Sequence, residues 1–69
     1  MMDNETRAAF RMGKLANESG FTPEEVFQMV QTLIREEQNF DSNVSAARYW
    51  MMLSYTKKLD LVERALKTD

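Results

Sequence analysis

The chain has 69 residues, with nine Lys and Arg against eleven Asp and Glu, and neither cysteine nor histidine. That composition excludes disulfides, a Cys/His zinc site, a cysteine nucleophile and an imidazole base, and it lacks the basic balance of a typical nucleic-acid binder. A chain this short buries only about 60% of its unfolded surface on folding, so one small domain is expected, with self-association as a further source of stability.

No apolar run approaches the roughly 18 residues of a membrane span. Met1-Met2-Asp3-Asn4-Glu5 has neither the basic region nor the apolar run of a signal peptide. A cytoplasmic location and no membrane partner are therefore expected. Small size without cysteine also suits a bacterial or phage protein. Residues 1–40 sum to a charge of −3 and residues 41–69 to +1.

In chain order, the apolar spacing predicts a first helix from about Asn4 to Ser19, capped by Asp3 or Asn4. Ala8, Met12, Leu15, Ala16 and Ser19 share its inner face, and Arg7, Arg11, Lys14 and Glu18 share another. Phe10 projects away from the inner face beside Gly13, which costs the helix about 1 kcal/mol relative to alanine. Gly20 ends the pattern.

Phe21-Thr22-Pro23-Glu24-Glu25-Val26 carries a strong helix start: a Thr N-cap, Pro at the first helical position, and Glu at the third. Phe21 and Val26 are spaced as a hydrophobic staple. The second helix is predicted over 23–38, with Val26, Phe27, Met29, Val30, Leu33 and Ile34 on one arc. Asn39-Phe40-Asp41-Ser42-Asn43 interrupts the pattern, and Phe40 is expected to fold back over the helix end.

The third helix is predicted as one span of about six turns over 44–67. Met52, Tyr55, Leu59, Val62 and Leu66 are spaced 3, 4, 3, 4, as in a helical seam, and are assigned to the core. Trp50, Leu53 and Leu61 fall nearly opposite, with Tyr49 beside them. A surface helix ordinarily has one apolar stripe, so the second stripe predicts a partner surface. Phe10, Tyr49, Trp50, Met51, Leu53 and Leu61 make up that predicted surface. Trp and Tyr are enriched among binding hot spots, and methionines adapt to irregular partners. The fold expected is an all-α, three-helix domain with a helix-turn-helix-like first pair and a long C-terminal helix, associating as a homodimer.

Catalysis has little chemistry to draw on. Glu24-Glu25 and Glu36-Glu37 are adjacent pairs whose side chains diverge by about 100° on a helix, so neither pair converges on a metal. No enzyme activity, cofactor, metal or small-molecule substrate is expected. The expected function is a regulator, adaptor or inhibitor that binds another protein.

An alternative reading rests on the spacing of Ala16, Gly20 and Val26, with Leu15, Phe21 and Met29 apolar around them. Over 15–26 this resembles a DNA-binding helix-turn-helix. The resemblance implies a transcriptional regulator with Arg7, Arg11, Lys14 and Gln28 as the nucleic-acid contacts. Glu24 and Glu25 at the start of the recognition helix would meet phosphate repulsion, so nucleic acid is the secondary expectation. Gly20-Phe21-Thr22-Pro23-Glu24-Glu25-Val26 also looks like the first turn of ubiquitin-associated domains. That resemblance spans seven residues, and the predicted third helix is longer than that family's.

Overall fold

A computed structural model describes residues 3–67. These form four helices, α1 (Asn4–Glu18), α2 (Pro23–Gln38), α3 (Asn43–Met51) and α4 (Tyr55–Lys67). The all-α expectation holds, and the first two helices lie within one residue of their predicted bounds.

Asp3 caps α1, its carboxylate accepting the Thr6 N–H at 2.7 Å. That bond holds the Asp3 carboxyl below its ordinary value of 3.8. Ala8 is the buried residue of α1, and Met12 and Ala16 pack against the core. In the turn that follows, Ser19 Oγ donates to the Ala16 carbonyl at 2.6 Å and accepts the Phe21 N–H at 3.1 Å. Gly20 has φ 84°, a left-handed conformation that glycine adopts without a Cβ penalty.

The capping box of α2 forms as the sequence predicts. Glu25 N–H donates to Thr22 Oγ1 at 3.1 Å and Thr22 N–H donates to Glu25 Oε1 at 3.0 Å. The helix ends at Asn39, which is left-handed at φ 58°. The Asn39 and Phe40 amides both reach the Arg35 carbonyl, the arrangement of a Schellman stop. Phe40 folds back as predicted, with its ring edge-on to Tyr49 at 5.8 Å between centroids.

The predicted helix over 44–67 is not continuous, and the domain has four helices among its described residues, not three. Ser42 caps α3 by accepting the Ser45 N–H at 3.2 Å. At the other end the Met52 and Leu53 amides tighten onto the Tyr49 and Trp50 carbonyls, each at 3.1 Å, a 3₁₀-type ending. Residues 52–54 contain neither glycine nor proline, so the break owes nothing to a helix-breaking residue. Its cause is capping.

The first amides of a helix have no partner within it, and those of Tyr55, Thr56 and Lys57 at the start of α4 are filled by side chains, with Lys58 making the first helical bond. Tyr55 N–H donates to Glu5 Oε2 at 2.7 Å, and Thr56 N–H to Glu5 Oε1 at 3.4 Å. Lys57 N–H donates to Ser54 Oγ at 3.3 Å, and Lys58 N–H to the Ser54 carbonyl at 2.9 Å. Thr56 Oγ1 adds a further bond to Glu5 Oε1 at 2.7 Å. A carboxylate fifty residues upstream thus closes the start of α4, where the helix dipole favours negative charge.

The break also accounts for the two stripes. On one straight helix at 100° per residue, the inward residues of 46–53 and those of 61–66 would lie roughly 140° apart. Two separate helices turn both sets inward. The core joins Val26, Val30 and Ile34 of α2 with Ala46 of α3 and Leu61, Val62 and Ala65 of α4. Tyr49, Trp50, Leu53 and Leu66 form part of the half-buried layer around it.

α1 packs chiefly on α4, whereas α2 packs on α3 and α4 and touches α1 only slightly. The first pair is therefore joined by a tight turn without its members being each other's main support. Arg64 ties α4 to α2 through an ion pair with Glu37, and it meets Asp60 at 3.1 Å on its own helix. The Glu37 contact raises the Arg64 guanidinium further above its ordinary range.

Candidate interaction surface

The six residues predicted to bind a partner separate into two groups. Leu61 is buried at 5% exposure, inside the core. Tyr49, Trp50 and Leu53 are half-buried against that core. Trp50 meets the Phe27 ring edge-on at 5.9 Å, and the Lys58 ammonium lies 5.4 Å from its centroid. These four side chains already have partners within the chain, so the stripe Trp50–Leu53–Leu61 is inner packing. Phe10 and Met51 remain outside, at 67% and 77% exposure.

The assignment of the 3-4 seam is corrected in the opposite sense. Val62 is buried, and Leu59 and Leu66 are half-buried, but the seam's first members point outward. Met52 is 86% exposed and Tyr55 43%. Val44, on the same predicted side, is exposed as well. The break at 52–54 is the reason for Val44 and Met52, which no longer share the orientation of the residues after it, whereas Tyr55 is the first residue of α4. Ser54 was the available signal: it is a good N-cap residue three positions ahead of Lys57.

Phe10 and Tyr55 come together across the junction of α1 and α4. With Ala9 they wall an open cleft of about 400 Å³, bordered by Glu5 and Thr6. Glu5 is held there by its bonds to Thr56 and Tyr55, which lower its carboxyl below the ordinary 4.5. Lys58 lies on the other side of Tyr55, its ammonium 4.8 Å from the ring centroid, close enough for a cation–π contact. Met51 and Met52 lie in the chain immediately before this junction.

The residues predicted for the nucleic-acid alternative do not converge. Arg7, Arg11 and Lys14 are exposed on α1. Gln28 instead lines a separate depression on α2 with Phe21, Glu25, Met29 and Thr32. Glu25, whose carboxyl is lowered by its capping bond to Thr22, places negative charge beside it. Among the described residues no cluster of three or more Asp and Glu is placed to hold a metal ion, and no helix is long and apolar enough to cross a membrane.

Comparison of the chain with protein-family models, curated proteins and solved structures finds no match.

Proposed function

We propose that this chain is a non-enzymatic protein-binding module that engages a partner at the junction of α1 with the α3–α4 break. One observation carries the reading: large apolar side chains remain exposed there, Phe10, Met51, Met52 and Tyr55 foremost. Scattered exposed apolar residues are ordinary, whereas a concentration of them around a cleft is what interaction sites present. The cleft between Phe10 and Tyr55 offers a seat for one bulky side chain of the partner, the usual form of a hot-spot contact. Acting as a regulator, adaptor or inhibitor would follow from that binding.

Site-specific photocross-linking tests the reading in cells of the source organism. A photoreactive residue replacing Met52 or Phe10 should trap the same protein, whereas one replacing Glu24, exposed in the first turn of α2, should not. The Met52 adduct should also disappear when Phe10→Ser is added. Equal trapping from all three positions, or from none, would refute the module.

A further inference from the structure

We infer that the partner segment seated in the Phe10–Tyr55 cleft is acidic, an amphipathic peptide or helix bearing Asp and Glu around an apolar anchor. The inference rests on the protein-binding reading above and specifies its occupant. It comes from how a chain of net charge −2 distributes its charges.

Segments 6–17 and 42–59 contain six of the nine basic residues and none of the eleven acidic ones. The basic residues are Arg7, Arg11 and Lys14 in the first segment, and Arg48, Lys57 and Lys58 in the second. The same two segments hold Phe10, Val44, Met51, Met52 and Tyr55, which are five of the six exposed large apolar side chains among the described residues. Basic charge and exposed apolar side chains therefore share the same two stretches of a chain that is acidic elsewhere.

Basic side chains flank the residues that wall the cleft without lining the cleft itself. Arg7, Phe10 and Lys14 are spaced i, i+3, i+7 and so share one face of α1, with Phe10 forming a cleft wall. Lys58 reaches the opposite wall through its contact with Tyr55. Among the described residues none of the six basic side chains forms an ion pair with a carboxylate; the ion pairs belong to Arg64. Glu5, the acid at the cleft border, is occupied by the amides of Tyr55 and Thr56.

A second copy of the chain fits this surface poorly. Two-fold pairing apposes one patch to itself, which would gather Arg7, Lys14 and Lys58 of both copies into one interface. Complementary charge attracts and orients a partner, and like charge excludes one. The walled cleft also favours a peptide side chain over the flat faces of lipid or stacked bases.

The test is an amide-resolved NMR titration of the labelled full chain with three synthetic helical peptides. All three carry Leu at helical spacing, with Glu, Gln or Lys at the remaining positions. The Glu peptide should shift amides of 6–14 and 51–58 and bind about tenfold more tightly than the Gln peptide, an advantage that shrinks from about 50 to about 300 mM salt. Arg7→Glu combined with Lys14→Glu should transfer the preference to the Lys peptide, and Phe10→Ser should weaken all three.

If Glu and Gln peptides bind the cleft equally, the acidic partner is refuted while the protein-binding reading stands. If no peptide shifts these amides at millimolar concentration, both fall. Binding to phosphatidylserine vesicles or duplex DNA with no response to the Glu peptide would overturn the proposal in favour of those ligands. Concentration-dependent broadening of the same amides in the free chain would overturn it in favour of self-pairing.

Discussion

Truncation of Leu61 distinguishes the bent arrangement of α3 and α4 from a single straight helix. Leu61 is 5% exposed within the cluster that includes Val30 and Ile34, both fully buried. Leu61→Ala removes three carbon groups, a loss of roughly 2.4 kcal/mol at about 0.8 kcal/mol each. A residual cavity on the order of 50 Å³ adds about 1 kcal/mol at about 24 cal/mol per Å³. Set against the ~3.5–10 kcal/mol expected for a domain of this length, a loss of about 3.5 kcal/mol is severe. Met52→Ala, at an 86% exposed position, should cost less than about 0.5 kcal/mol. The assay is urea unfolding followed by far-ultraviolet circular dichroism. With a slope near 1 kcal/mol per molar urea, Leu61→Ala should lower the midpoint by about 3 M or abolish the native baseline. Ile34→Val keeps the measurement within range if Leu61→Ala fails to fold, with an expected loss of about 1 kcal/mol. A larger loss for Met52→Ala than for Leu61→Ala would place residue 52 inside and 61 outside, and would refute the bend.

Three further outcomes follow from the capping groups. Thr22→Ala removes the α2 N-cap and should cost about 0.5–2 kcal/mol in the same urea assay, and an unchanged midpoint would contradict the capping box. Asp3, Glu5 and Glu25 all titrate below their ordinary values because their carboxylates accept hydrogen bonds in the folded chain. The unfolded chain therefore binds protons first as pH falls, so the stability these groups contribute is present above pH 4.5 and is lost as the pH drops through their lowered values. With no histidine, the urea midpoint should stay level from about pH 5 to 8, and a slope within that range would point to another titrating group. Glu5→Gln should flatten the acid decline and speed amide exchange at Tyr55 and Thr56, which donate to Glu5, while leaving Glu25 N–H, which donates to Thr22, unaffected.

Much of the fold is legible because its signals are local. The Thr22–Glu25 capping box, Pro23, and the Val26–Val30–Ile34 arc all lie within one helix, and each appears in place. The α3–α4 break was not legible because most of the capping behind it is remote. The Ser54 hydroxyl caps one α4 amide from the adjoining chain, but two more are capped by Glu5, whose position no periodicity can reveal. Without that carboxylate, the 3-4 spacing of Met52, Tyr55 and Leu59 is indistinguishable from a continuous seam. The surface changes with the break: an unbroken helix needs a partner to cover Trp50 and Leu53, whereas a broken one covers them itself and exposes Met52 instead. The outward position of Phe10 was legible because α1 is unbroken and Ala8, Met12 and Ala16 set its inner face.

The distribution of large and small apolar residues gives the exposed junction its significance. Among the described residues, three of the eight buried ones are alanines, Ala8, Ala46 and Ala65, while Phe10, Met51 and Met52 lie outside at 67% exposure or more. Burying a Phe or Met side chain contributes about 1.5–3 kcal/mol, a substantial share of the stability of a domain this small. Core stability therefore does not explain why these side chains stand outside while alanines fill the interior. The alanines do have a structural role, since a small side chain lets helices approach closely, and Ala8 lies on the helix whose Glu5 must reach the start of α4. That close approach of α1 is what brings Phe10 beside Tyr55. The contact that bends the chain at 52–54 and the cleft proposed to receive a partner are thus built by the same residues. Weakening the Glu5 cap should loosen the binding site before it unfolds the core.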